Sequence, residues 1–268
     1  MVRTFATPAP PRLRVRTAAG LVSVEPGETA ETTVELQALR NDDATRDAIE
    51  HAVVEQRGDE IVVEIEKSGW GLFSRSAKVG IRIRCPHDSY LDCNTASADV
   101  SSSGRLAEAT VRTASGDIAL DHVAEVAVTT ASGDVRVQEL QVDGRVNTVS
   151  GDLRIVGVRA LLAAQTVSGD VELGDVDSDV SVQTVSGDQR LRAVRSGDVR
   201  LTSVSGDVEV GVVTGTRLYV DASSTSGDVR SELEVGSESE DDVTEAQVRA
   251  KTVSGDIALV RTVRLGTS

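Results

Sequence analysis

Carboxylates at a fixed interval are the residues of this chain best placed to do chemistry. Asp134, Asp152, Asp170 and Asp188 follow one another at steps of 18 residues, each closing a Ser-Gly-Asp tripeptide. The same tripeptide carries Asp117, Asp207, Asp228 and Asp256. Stacked at strand spacing, about 4.8 Å, such carboxylates repel one another and invite a cation. Calcium takes oxygen ligands, but it wants roughly six to eight, so one carboxylate per corner suffices only if backbone carbonyls join in. Calcium-binding β-rolls also use a double-glycine repeat, whereas each repeat here has a single Gly before its Asp. The competing reading is structural: each Asp accepts hydrogen bonds from amides of its own corner and is balanced by Arg136, Arg154, Arg190 and Arg230. A calcium-binding module on these corners stands as the alternative.

The elements that position the row follow from the repeat. Nine Ser-Gly-Asp copies begin at Ser115, Ser132, Ser150, Ser168, Ser186, Ser196, Ser205, Ser226 and Ser254, and Ser97-Ala98-Asp99 is a worn tenth. A short fixed period marks stacked repeats, each one rung of a ladder. Before each corner, alternate residues are apolar: Leu162, Ala164 and Thr166, then Val180, Val182 and Thr184, then Val248, Ala250 and Thr252. Those face inward. After the corner the phase slips by one, so Val135/Val137, Leu153/Ile155, Val171/Leu173 and Ile257/Leu259 face inward next. Glycine permits the sharp bend between the two strands. The Thr-x-Ser ladder resembles the hydroxyl rows of ice-binding solenoids, but this parity turns its threonines inward.

On the outward side, Val149, Val167, Val185 and Val204, with Val253, fall at one position of successive rungs beside Asn147, Gln165, Gln183, Thr202 and Lys251. An exposed apolar strip is either a contact surface for a partner or a second copy, or is covered by another part of the chain. Trp70 and Phe73, in a Gly/Ser-flanked loop, are the other candidate contact residues, as partner anchors or as a plug for the open end of the stack.

Composition narrows the function. Aromatics are 2% of the chain, so the interior is built from Val, Leu, Ile and Ala, and stacking platforms for bases or sugars are scarce. A net charge of −15 disfavours nucleic acid and anionic membrane surfaces. No apolar run is long enough for a membrane helix, and the first residues lack an apolar signal core, so the expected compartment is the cytoplasm, with a surface role only by non-classical export. Hydrolase, P-loop, zincin and dinucleotide motifs are missing, and the serines have no accompanying base. The expectation is therefore no enzyme, no cofactor and no metal centre. A glycan partner is conceivable but unsupported, and a glycan-active enzyme would need an acidic pair facing one groove. Cys85 and Cys93 continue inward alternations and read as small buried hydrophobes.

Residues 1–12, with Pro8, Pro10 and Pro11, read as a flexible lead-in. Residues 13–87 read as a β-rich cap. Thr17 to Val24 is a worn copy of the later repeat, and Asn41, Asp42 and Asp43 begin a helix over about 43–56 on the apolar spacing of Ala44, Ala48, Ile49, Ala52 and Val53. Residues 88–268 carry the repeats, with an acidic insertion at about 232–245.

Short strands broken by Thr-Val-Ser-Gly-Asp-Val, behind Ile81-Arg-Ile-Arg-Cys-Pro86, resemble the bacterial putative-adhesin family of β-solenoid domains of unknown function, over Arg12 to the C-terminus. The resemblance implies a parallel β-solenoid and a surface or adhesion role, and it supplies no catalytic residue. The fold expected is thus all-β, a parallel β-solenoid or β-helix of stacked ~18-residue rungs behind a β-rich cap with one short helix. The function expected is a non-enzymatic scaffold for protein interaction or self-association.

Overall fold

Inward valines and leucines every second residue, bent at glycines, produce strand segments whose parallel partners in the repeats lie one repeat away, as Leu162 lies opposite Val180. The computed structural model describes residues 1–65, 77–233 and 245–262. Trp70 and Phe73 lie outside them. The chain divides into two compact units, Met1–Arg136 and Val137–Ser268.

In the first unit the strands are β1 (Val2–Ala6), β2 (Arg12–Gly27), β3 (Glu31–Ala38), β4 (Val53–Arg57), β5 (Glu60–Glu64), β6 (Val79–Pro86), β7 (Ser89–Ser102), β8 (Arg105–Thr113) and β9 (Ile118–Ser132), with helix α1 (Asp43–Glu50) between β3 and β4. β2 pairs in parallel with β7, bringing Thr17 opposite Thr95 and Gly20 opposite Ala98, so the worn repeat stands in register with the later ones. On its other side β2 pairs in parallel with β5 and β6. Beyond these the direction reverses: β4 runs antiparallel to β5, β3 to β6, and β1 to β3.

Two local expectations are corrected. Residues 1–12 are not a loose lead-in. β1 is a strand whose Arg3 guanidinium donates to the Val54 carbonyl (2.9 Å), and the Met1 ammonium donates to the Leu36 carbonyl (3.0 Å). The prolines that suggested looseness fall after β1, in the connection to β2, where no ladder amide is needed. The helix also stops at Glu50 and not near residue 56. Asp42 caps its start by accepting from the Thr45 N–H (2.8 Å), and Thr45 and Ala48 are buried. Val53 and Val54 instead enter β4, because Gly58 (φ +66°) turns the chain into a hairpin with β5 and β-branched residues favour the strand.

In the second unit β10 (Val135–Ser150, whose first two residues precede the division), β11 (Leu153–Val158), β12 (Leu161–Ser168), β13 (Val171–Asp177), β14 (Val180–Ser186), β15 (Gln189–Ser205), β16 (Val208–Val213), β17 (Arg217–Ser226), β18 (Val229–Ser231), β19 (Glu245–Ser254) and β20 (Ile257–Thr262) form two sets of parallel ladders. In one, Val146, Ala164, Val182, Leu201, Ala250 and Ala222 are successive partners. In the other the series is Leu153, Val171, Gln189, Val208, Ile257 and Val229. The order departs from the chain at the end. The β19–β20 rung sits between the β15–β16 rung and the β17–β18 rung, so the last rung in sequence is the penultimate one in space. The inward columns are almost fully buried, Leu153, Ile155, Leu173, Val182, Leu201, Val210 and Val248 among them.

The corners require glycine at defined places. At Gly187 φ is +148°, and a Cβ would stand 2.2 Å from the Gly169 carbonyl oxygen of the preceding rung. Neither the angle nor the space admits a side chain.

Candidate functional site

The aspartate row is an interlocking backbone device. In the second unit the Oδ1 of Asp152 accepts from the Asp170 N–H (3.0 Å), Asp170 from Asp188 (2.9 Å), Asp188 from Asp207 (2.9 Å), Asp207 from Asp256 (2.8 Å) and Asp256 from Asp228 (2.9 Å). In the first unit Asp99 receives Asp117 and Asp117 receives Asp134, both at 3.0 Å. Each of these acceptor carboxylates therefore bonds the amide one rung on, not the amides of its own corner. The cause is the bend, which points the next rung's N–H at the carboxylate below instead of into a ladder.

The arginines correct the charge balance as well. Arg136 and Arg230 do pair with Asp134 (2.8 Å) and Asp228 (3.0 Å). Arg154 pairs with Glu172 (3.1 Å) and Arg190 with Glu209 (3.0 Å), because these outward residues stand opposite one another across adjacent strands. Glu172 also meets Arg192. Among the described residues no three His, Cys, Asp or Glu side chains converge as metal ligands.

The threonine ladder lies inside, as the parity requires: Thr148, Thr166, Thr184 and Thr252 are buried. Thr184 is bound on two sides, its hydroxyl donating to Ser203 (3.1 Å) and accepting from the amide of the fully buried Gln189 (2.8 Å). Thr148 and Thr166 hydroxyls have no hydrogen-bond partner among the described residues. Gln189 occupies a column otherwise filled by valine, leucine and isoleucine; its place after Gly-Asp was the signal that it faces inward. Cys85 and Cys93 are buried free thiols, and burial raises their pKa to about 11 and about 12, so neither is a thiolate at neutral pH.

The outward face of the second unit is the best-defined surface. Each rung there offers four residues. At the corner end stand Val149, Val167, Val185, Val204 and Val253, each 48–51% exposed, while the inward Thr148, Thr166, Thr184, Ser203 and Thr252 one residue away are buried. Next to them run Asn147, Gln165, Gln183, Thr202 and Lys251, held in line by the parallel register. The third column is Arg145, Ala163, Ser181, Arg200 and Arg249, and the fourth is Asp143, Leu161, Asp179, Asp198 and Gln247. Small Ala163 and Ser181 between two arginines leave a shallow depression of about 230 Å³, rimmed by Leu161, Asp179 and Asp198. Asp198 is held by the Arg249 guanidinium (2.9 Å), and Asp179 accepts from the Asp198 N–H (2.8 Å). Sequence reasoning singled out the valines and missed the depression, although the small-residue gap between Arg145 and Arg200 could be read by aligning the repeats.

An all-β repeat protein, with one short helix among the described residues, is the class these elements define. The Toastrack DUF4097 family model matches residues 12–260, and the chain belongs to that family. No curated protein is significantly similar to it. Among solved structures it resembles a putative adhesin from Bacteroides fragilis (14% identity, 97% of this chain and 96% of that chain covered, TM-score 0.48). It also resembles a putative lipid binding protein (15%, 97% and 96%, 0.47) and a putative adhesin (10%, 97% and 96%, 0.46), both from Parabacteroides distasonis.

Proposed function

We propose that the chain is a non-enzymatic docking scaffold, a parallel β-solenoid of ~18-residue rungs whose outward valine column binds a protein partner. Register carries the solenoid reading, since partner residues recur one repeat apart through both ladder sets. The observation that carries the docking reading is the valine column itself. Five β-branched apolar side chains stand half exposed in one line, with no described part of the chain over them. Scattered surface valines are ordinary, but a contiguous line of them is not. The corner aspartates flank the column, so the fitting partner offers an apolar ridge edged with basic residues. Docking of that kind is what an adhesion role would require.

The test is capture from native extract on the immobilised chain, compared with Val167→Glu plus Val185→Glu. Loss of the captured protein with unchanged thermal melting supports the reading. Equal capture by both chains overturns it.

A further inference from the structure

The outward face of the second unit matches itself. We infer, building on the reading of this face as a docking surface, that a second copy of the chain pairs with it through the Asp143 and Arg145 columns. A two-fold axis along the stack, between these columns, lays each column of one copy over the other column of its partner at the same rung. Asp143 then meets the partner's Arg145, and Arg145 meets the partner's Asp143. One rung on, Leu161 faces the partner's Ala163; then Asp179 faces the Ser181 hydroxyl, and Asp198 faces Arg200.

Shape and charge agree at these levels. Leu161 is 55% exposed and sits beside the depression floored by Ala163 and Ser181, so the side chain that projects from one copy has a place to enter on the other. Asp143 and Arg145 make no ion pair among the described residues, so the two contacts at that rung are formed from charges the single chain leaves unmatched. The same two-fold sets like charge over like only if the columns are shifted, which fixes the register. A patch of two columns over four rungs is small, and the pair it forms is expected in the micromolar range.

Sedimentation of the full chain across a concentration series at moderate salt is the test. The wild type forms a dimer. Arg145→Asp and Asp143→Arg alone each place like charges together and weaken it by at least about tenfold. The combined exchange of both residues restores it. Leu161→Glu gives a monomer, and Leu161→Ser, gentler at an exposed position, weakens the dimer with unchanged melting. The valine column lies outside the paired columns, so Val167→Glu plus Val185→Glu loses partner capture and keeps the dimer. That separates failure of the valine docking reading from failure of this one. A wild type that stays monomeric at about 100 µM overturns the inference, as does a dimer indifferent to the single charge changes, or one broken by the valine changes alone.

Discussion

The outermost strands of the two units solve the same problem differently. In Met1–Arg136 the parallel ladders end against antiparallel strands: β4 lies on β5 and β1 on β3. Reversed direction spoils the template for a further parallel rung, which is one way to blunt an edge. In Val137–Ser268 the last rung, β17 and β18, is parallel like those below it, and among the described residues nothing follows it. Its inward positions show the consequence. Val248 is 0% exposed and Val220, its partner in the same column, is 42% exposed. A residue's burial here is set by having a rung on both sides, not by its identity. The second unit reduces what it leaves open by chemistry, with Ser224 and Ser231 at inward positions of its final rung.

That comparison is broken hardest at the corners. Gly187→Ala, inside the stack, meets both a forbidden φ and a carbonyl at 2.2 Å, whereas Gly215 has a φ of +92° and nothing within 4 Å. We expect Gly187→Ala to cost several kcal/mol or to prevent folding, and Gly215→Ala only about 1–2 kcal/mol of strain, by denaturant unfolding. Next comes the valine pair. Val248→Ala opens a cavity between two rungs and costs about 2–3 kcal/mol, while Val220→Ala, with one side open, costs under about 1 kcal/mol. Equal losses would mean that something covers the final rung.

A subtler contrast lies within the buried threonine column. Thr184→Val strands Gln189 and Ser203 and destabilises by about 1–3 kcal/mol, whereas Thr166→Val removes a buried hydroxyl without a partner among the described residues and is neutral or stabilising. The smallest effect expected is from calcium. With the Oδ1 atoms of Asp152, Asp170, Asp188, Asp207 and Asp256 already accepting a backbone N–H, EGTA followed by excess calcium leaves the melting midpoint unchanged. A rise with calcium would restore the cation reading.

How much was legible follows the repeat. Strict alternation fixed which of Leu162, Ala164 and Thr166 turn inward, and the same parity placed Val167 outside. The partner of each aspartate was not legible, because sequence spacing says that Asp170 and Asp188 are near one another but not which amide each faces. Pro8, Pro10 and Pro11 suggested looseness where tertiary pairing holds β1, and Ala52 and Val53 suit a helix face and a strand equally until Gly58 is seen to turn the chain. The order of the last rungs was hidden for a further reason. Ser205, Ser226 and Ser254 carry the same corner, so any of them fits on any other, and the long connection through the acidic stretch removes the constraint that chain neighbours must be spatial neighbours.

That order gives the most direct test of in-register stacking. Val204→Cys with Val253→Cys places two thiols on adjacent strands, whereas Val204→Cys with Thr225→Cys places them two strands apart, at about 10 Å. Under mild oxidation, with a bridge requiring Cα atoms within about 7 Å, the first pair closes and the second does not. Efficient closure of the 204–225 pair, with none at 204–253, would contradict the stack described.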